Sequence, residues 1–321
     1  MIGRICGTGF YIPKVAWDNN KLSEMVDTND EWIQERTGVV RRHIASGEET
    51  TSYMAAEAAK AALADASLAP DEVDLILVAT ISPERIMPST SCEVQKKIGA
   101  VNATCMDVNA ACTGFIFALN TAQAFIGQGI YKNVVVIGAE SLSNLVNWQE
   151  RSTCILFGDG AGAAVVRAGE TGHYAQVTYS AGNGGNVLTC SSRNQKQFEE
   201  QPKAAETYMQ MDGREVFKFA VSKVPEVIRE LLDREGMQPD EVKYFVLHQA
   251  NERIVRSVAK RLKEDIGKFP VNMGEYGNTS SASIPILLDE LNKKGELRAG
   301  EHVILAGFGA GLSYGASLIQ W

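Results

Sequence analysis

The chain has no Cys-x-x-Cys pair, no stretch approaching the ~18 consecutive apolar residues of a membrane span, and no excess of basic charge. Its six cysteines, at 6, 92, 105, 112, 154 and 190, are too sparse for a disulfide framework. No histidine stands at metal-ligand spacing from them, which argues against a zinc site. Lys and Arg number 31 against 39 Asp and Glu, a net charge of −8, and this argues against nucleic acid as the main partner. The segment MIGRICGTGFYIPK has no long apolar run behind a basic start, so no secretory signal is expected. A soluble cytoplasmic protein is the expectation, with four of the cysteines serving as small core hydrophobes.

What is present is enough apolar residue, 45% of 321, for two domains or two fused halves. Laid against itself, the chain matches in one register. ProAspGluVal at 70–73 falls on the same tetrapeptide at 239–242, LILVAT (75–80) on YFVLHQ (244–249), and NVVVIGAE (133–140) on HVILAGFG (302–309). The same register sets Gly138 on Gly307 and Asn109 on Asn278. Duplication is implied, with an N-terminal half over 1–170 and a C-terminal half over 171–321. Apolar strand-like runs alternate with helical segments such as SYMAAEAAKAALADA (52–66), the pattern of sheets covered by helices. The polar, patternless segment 189–206 reads as an exposed loop or lid.

Three islands carry candidate chemistry: VNAACTGF with Cys112, VLHQAN with His248 and YGNTSSAS with Asn278. A thiolate to attack, with an imidazole and an amide to hold an oxyanion, is a set suited to covalent acyl transfer. Cys112 stands between a strand, CMDVNA, and a helix running from Thr113 to about Gly127. At such a turn free N–H groups and the helix dipole favour a thiolate. His248 ends a buried strand, where ligands meet α/β proteins. Singly, each has a bland reading: a core cysteine, a satisfied histidine, a turn or cap asparagine. GFGAGLSYG (307–315) allows a tight turn with backbone N–H groups facing a cavity. GDGAGAA (158–164) fits a Gly-x-Gly-x-x-Ala dinucleotide loop, yet runs into a strand, so the Rossmann reading fails.

With DTNDEWIQERTGVVRRHIA (27–45), DVNAACTGF (107–115), TCILFGDGAGA (153–163), DGREVFKFA (212–220), HQANERI (248–254) and GNTSSASIP (277–285), the chain closely resembles the β-ketoacyl-acyl-carrier-protein synthase III family of thiolase-like condensing enzymes. The resemblance covers essentially its whole length. It implies an α/β, five-layered α-β-α-β-α fold from two similar halves, a homodimer, and no cofactor, since the CoA thioester is a substrate. It implies that Cys112 takes a short acyl group from acyl-CoA. Malonyl-acyl-carrier protein then decarboxylates with His248 and Asn278 holding the enolate oxygen, giving a 3-oxoacyl-carrier protein, CoA and CO2. The acylation oxyanion would meet the backbone N–H groups of Cys112 and Ala310.

The same resemblance sets adenine between Trp32 and Arg151, Thr28 and Arg36 beside the nucleotide, and Gly213, Phe217 and Asn251 along the pantetheine tunnel. It brings Met87, from across the dimer, to the acyl pocket. A flexible Met there is consistent with short branched starters. The helix after His248 has a basic side, and Lys218, Gln249, Ala250, Asn251, Glu252, Arg253, Arg256 and Lys260 are the expected docking face for an acidic carrier protein. Three alternatives remain: a thiolase-fold acyltransferase that does not condense, a polyketide-type enzyme using CoA thioesters on both sides, and a non-catalytic acyl-CoA-binding protein.

Overall fold

Unbroken apolar runs become fully buried strands. LILVA and the body of NVVVIGAE lie side by side in parallel, covered on both faces, as parallel sheets must be. The computed structural model describes residues 1–191 and 208–321. In chain order come strands β1 (Ile2–Tyr11) and β2 (Val15–Asp18), helices α1 (Asn19–Ser23) and α2 (Asp30–Thr37), and strand β3 (Arg41–Ile44). Next are α3 (Thr51–Asp65), β4 (Leu75–Ala79), α4 (Thr90–Ile98), β5 (Thr104–Val108), α5 (Gly114–Gly127), β6 (Asn133–Glu140), α6 (Arg151–Cys154) and β7 (Gly160–Gly169). Then follow β8 (Tyr174–Ser180), β9 (Leu188–Thr189), β10 (Gln210–Met211), α7 (Gly213–Glu235), β11 (Val242–Leu247) and α8 (Glu252–Leu262). Last are α9 (Met273–Tyr276), α10 (Ser283–Lys293), β12 (His302–Gly309) and β13 (Ser313–Gln320).

Two mixed sheets result, in the orders β1-β7-β6-β4-β5 and β11-β12-β13-β8. Three separate cores show how they stack. One joins α3 and α4 to the first sheet through Met54, Ala58, Val94, Ile76 and Val135. A second fills the space between the sheets: Leu75, Leu77 and Val136 from one side, Val246, Val303 and Leu305 from the other, with α5 and α10 between them. The third joins α7 and α8 to the outer face of the second sheet through Val224, Ile228, Val258 and Phe245. The architecture is therefore a five-layered α-β-α-β-α thiolase-like fold.

Both sheets use matching positions. Short 3₁₀ turns at Pro70–Glu72 and Pro239–Glu241 each lead into a strand, and β6 and β12 span residues equivalent in the repeat register. Symmetry stops at β5, whose register equivalent is helix α9. Gly138 in β6 is required by contact between the halves. A Cβ there would stand 2.2 Å from the Ser281 carbonyl oxygen, so only glycine lets this segment cross the strand.

Three sequence expectations change. Only Cys112 and Cys154 are buried; Cys6 and Cys105 are partly so, and Cys92 and Cys190 are exposed, so four core cysteines is too many. The helix expected from Thr113 begins instead at Gly114, after a 3₁₀ turn over Ala111–Thr113. β9 and β10 pair antiparallel, so the segment expected as a loop at 189–206 starts from a two-stranded ribbon. From 192 onward it lies outside the described residues.

Candidate active site

Cys112, His248 and Asn278 reach one cavity of about 530 Å³ from three different elements. Cys112 sits in the turn before α5, where Ala111 adopts a positive φ of 45°. His248 follows the C-terminal end of β11, and its N–H is fixed to the Ala306 carbonyl at 2.8 Å. Asn278 lies beside Phe157 in an isolated bridge, its N–H donating to the Leu156 carbonyl at 2.8 Å. The turn after β12 closes against the cysteine, and a Cβ on Gly309 would stand 2.8 Å from Cys112 N.

Hydrogen bonding orients both helpers. Asn278 Oδ1 accepts the Ser280 N–H at 2.9 Å. This identifies the oxygen end of the amide and leaves Nδ2 as the donor. His248 Nδ1 is 2.8 Å from Ser283 Oγ. The same hydroxyl donates to the Ser280 carbonyl at 2.9 Å, and its oxygen lies 3.3 Å from the Gln249 N–H, so Ser283 fixes the ring position through Nδ1 and leaves Nε2 free of a protein partner on the cavity side. Phe308 packs edge-on against the ring at 5.4 Å.

Burial sets the charge states. It pushes the Cys112 thiol up to about 12, with the Ser280 hydroxyl pulling the other way and Glu140 adding to the rise. It holds His248 down to about 3. The expectation of a helix-stabilised thiolate is therefore corrected: desolvation outweighs the single helix terminus, and the resting pair is a thiol and a neutral imidazole.

The cavity lining continues outward through Gly213, Phe217, Ala250, Asn251 and Arg253 to Arg36 and Trp32. Arg36 and Arg151 flank the Trp32 ring, at 4.7 and 4.6 Å from its centroid. Arg151 also donates to the Asp27 carbonyl at 2.8 Å. The face expected to receive adenine is thus covered by Arg151 itself. Asn251 caps α8 through the Arg253 N–H and donates from Nδ2 to the Arg36 carbonyl at 2.9 Å, tying the helix to the Trp32 segment. The Thr28 hydroxyl is buried without a hydrogen-bond partner, and Thr28 does not line the cavity.

A second cavity, about 400 Å³, also reaches Cys112 and is lined by Ile81, Leu142, Leu145, Met209, Ala310 and others. Met87 lines neither cavity and is 82% exposed. Of the expected docking residues, Lys218, Arg253, Arg256 and Lys260 are exposed. Gln249 is a correction. It is 1% exposed, its amide held by the Leu247 carbonyl and the Asn272 N–H, so it presents nothing to a partner. Ala250 faces the cavity, and Glu252 is an acidic group paired with Arg256 at 2.5 Å, unsuited to attract another acid. Ser283, Phe308 and Leu142 join the site without any expectation from the sequence, since small or apolar residues carry no chemical signal there. No group of three or more His, Cys, Asp or Glu among the described residues is placed to hold a metal.

Known proteins resemble this chain over nearly its whole length. Residues 106–185 match the model of 3-oxoacyl-[acyl-carrier-protein] synthase III, and 232–321 match that of its C-terminal part. A β-ketoacyl-[acyl-carrier-protein] synthase III from Clostridium novyi is 49% identical over 324 residues, covering 99% of this chain and 98% of that one. The crystal structure of the 3-oxoacyl-[acyl-carrier-protein] synthase III from Aquifex aeolicus superposes with a TM-score of 0.93 at 45% identity, covering 99% and 100% of the two chains. The priming β-ketosynthase of the R1128 polyketide pathway superposes at 0.94 with 35% identity, over 99% and 96%.

Proposed function

The chain belongs to the 3-oxoacyl-[acyl-carrier-protein] synthase III family, and from that premise we infer that it is the initiating condensing enzyme of fatty acid synthesis, an acyltransferase. The observation that carries the residue roles is the convergence of Cys112, His248 and Asn278 on one cavity whose lining extends to Trp32 and Arg36. Cys112 Sγ attacks the thioester carbonyl of a short acyl-CoA. As the acyl–sulfur bond forms, the thiol proton ends on the departing CoA sulfur. The malonyl thioester of the carrier protein then loses CO2, and His248 Nε2–H and Asn278 Nδ2–H donate to the enolate oxygen. Such donors are worth about 10²–10³-fold each in rate. The enolate carbon attacks the acyl-Cys112 carbonyl, the sulfur leaves as thiolate and takes a proton from solvent, and 3-oxoacyl-carrier protein departs. Backbone N–H groups of Cys112 and Ala310 serve the oxyanion of the acylation step. The reaction needs no cofactor, because both acyl groups arrive activated.

In this reading Trp32, Arg36 and Arg151 receive the nucleotide of CoA, with Arg151 moving off the indole face to admit the base. Gly213, Phe217 and Asn251 border the pantetheine arm. Lys218, Arg253, Arg256 and Lys260 form the carrier-protein face. The partner in a homodimer meets the open edge of β5, which pairs only with β4 among the described residues. The exposed Ile86, Met87 and Met106 support that edge as an interface. Met87 would then close the second cavity of the partner. That cavity's apolar walls at Ile81, Leu142, Leu145 and Met209 favour a starter larger than acetyl, such as isobutyryl. A cytoplasmic location belongs to the same reading; no described helix is long and apolar enough to cross a membrane.

The test is release of labelled CO2 and formation of 3-oxoacyl product from malonyl-carrier protein, with acetyl-CoA and isobutyryl-CoA in competition, wild type beside Cys112→Ser. Product lost in Cys112→Ser supports the reaction, and an outright win by acetyl-CoA removes the branched-starter reading. Acylation of Cys112 without CO2 release would make the protein an acyltransferase that does not condense.

A further inference from the structure

Glu140, the last residue of β6, is fully buried, near enough to Cys112 for its charge to be felt there, and has no place in the reaction as described. Its environment can be counted hydrogen by hydrogen. Oε2 accepts from Ser82 Oγ at 2.6 Å, Ile81 N at 3.1 Å and Thr80 Oγ1 at 3.2 Å. Oε1 lies 2.9 Å from Ser281 Oγ, and Ser281 Oγ is also 2.9 Å from the Ala79 carbonyl oxygen. A carbonyl can only accept, and a serine hydroxyl has one hydrogen to give. Were Glu140 ionised, Ser281 would have to choose between two acceptors. A full negative charge would also lie buried among hydroxyls and one N–H, with no cation among these partners. With a hydrogen on Oε1 the chain closes: Oε1–H donates to Ser281 Oγ, and Ser281 Oγ–H donates to Ala79 O.

We infer that Glu140 keeps a proton on Oε1 and acts as a neutral positioning residue of the condensing site, clamping the loop that carries Asn278 to the half that carries Cys112. Thr80, Ile81 and Ser82 follow β4 of the first sheet, whereas Ser281 lies three residues beyond Asn278. The carboxyl is the joint between them. Burial favours the neutral form as well. The neutral state matters to the chemistry because Cys112 is the titratable neighbour that feels Glu140, and a carboxylate there would oppose every step in which sulfur carries negative charge. Ser280, beside both groups with a buried hydroxyl that makes no hydrogen bond of ordinary length, lies between the clamp and the sulfur.

The inference rests on the reading of Cys112 as the acyl-accepting nucleophile, and the test separates the two. Glu140→Gln keeps the shape, donating from its amide to Ser281 and accepting from Ser82. Its pH profile for alkylation of Cys112 by iodoacetamide is expected to overlay wild type within about half a unit, and condensation to stay within about threefold. A larger fall in the apparent thiol pKa would mean that wild type carries a negative charge at this place, and would overturn the neutral assignment. Glu140→Leu removes the clamp. It is expected to slow condensation by about tenfold or more while acylation of Cys112 stays within about threefold; equal loss of both steps, or of neither, overturns the positioning role. Should Glu140→Gln not fold, wild type labelled with ¹³C at glutamate Cδ decides the proton: one resonance at the protonated position near about pH 8 supports it, and none refutes it. If wild type released no CO2 from malonyl-carrier protein, the reading of the reaction would fall, and that resonance would still decide the state of Glu140.

Discussion

The Asn278 side-chain amide is locked by Ser280, whose N–H donates to Oδ1 at 2.9 Å. The bond spans only two residues, so the turn that places Asn278 also aims it, and Nδ2 is left as a donor beside Cys112 and His248. Asn278→Asp tests this directly. Aspartate keeps an acceptor for Ser280 but supplies no donor and adds charge. Loss of condensation by about 10²-fold or more is expected, while transfer of a labelled acyl group from CoA to Cys112 continues. Equal loss of both steps would show that Asn278 serves folding or acylation instead.

The pH dependence of Cys112 follows from burial. With the thiol pushed up to about 12 and His248 held down to about 3, both groups are neutral throughout the physiological range. The rate of Cys112 alkylation by iodoacetamide is therefore expected to climb with each pH unit past about pH 9, without a plateau. A plateau near about pH 7 would reveal a thiolate–imidazolium pair. The His248 shift also has a sign for stability. The folded protein binds this proton less readily than the unfolded chain, so His248 destabilises the fold as pH drops below its ordinary value of 6.5 and on toward about 3.

Gly309 holds its backbone against Cys112. A Cβ there would meet Cys112 N at 2.8 Å and Cys112 Cβ at 3.1 Å, neither of which can yield without moving the turn. Gly309→Ala is expected to cost about 1–3 kcal/mol of stability by denaturant unfolding and to slow Cys112 acylation by about tenfold or more. Gly182→Ala, where nothing lies within 4 Å, is the control and should leave both unchanged. Full activity in Gly309→Ala would mean that the close approach is not what sets the sulfur.

Polar chemistry at the ends of apolar strands is what the sequence makes legible. His248 after YFVL, Cys112 after CMDV and the glycines that follow β12 stand out because a polar or small residue interrupts an apolar run at a place where ligands gather. The duplicated register likewise pairs β4 with β11 and β6 with β12 from residue identity alone. Burial, by contrast, depends on the third dimension. Glu140 reads as the polar end of NVVVIGAE, and only the crossing of Ser281 over β6 encloses it. Gln249 sits next to His248 in a polar stretch, yet its amide is consumed by Leu247 and Asn272, a partner set drawn from separate segments. The Cys112 thiol departs from its sequence expectation for the same reason: a helix terminus is visible in sequence, whereas the desolvation that outweighs it is not.

Carrier-protein docking gives the last test. Arg253 stands at the cavity and over the Phe217 ring, 5.7 Å from its centroid, whereas Arg256 is partly neutralised by Glu252 at 2.5 Å. Lys260 continues the exposed row along α8, on a protein that is otherwise acidic. An acidic partner steered to this helix would feel Arg253 and Lys260 most, because their charge is not offset within the helix. Arg253→Glu with Lys260→Glu is expected to raise KM for malonyl-carrier protein by about tenfold or more and to weaken its salt dependence. Acylation by acyl-CoA should hardly change for Lys260→Glu alone, which is remote from the cavity lining. Arg256→Ala should act less strongly than Arg253→Ala, since Glu252 already offsets the charge that is removed. An unchanged KM in the double variant would move the docking face off α8.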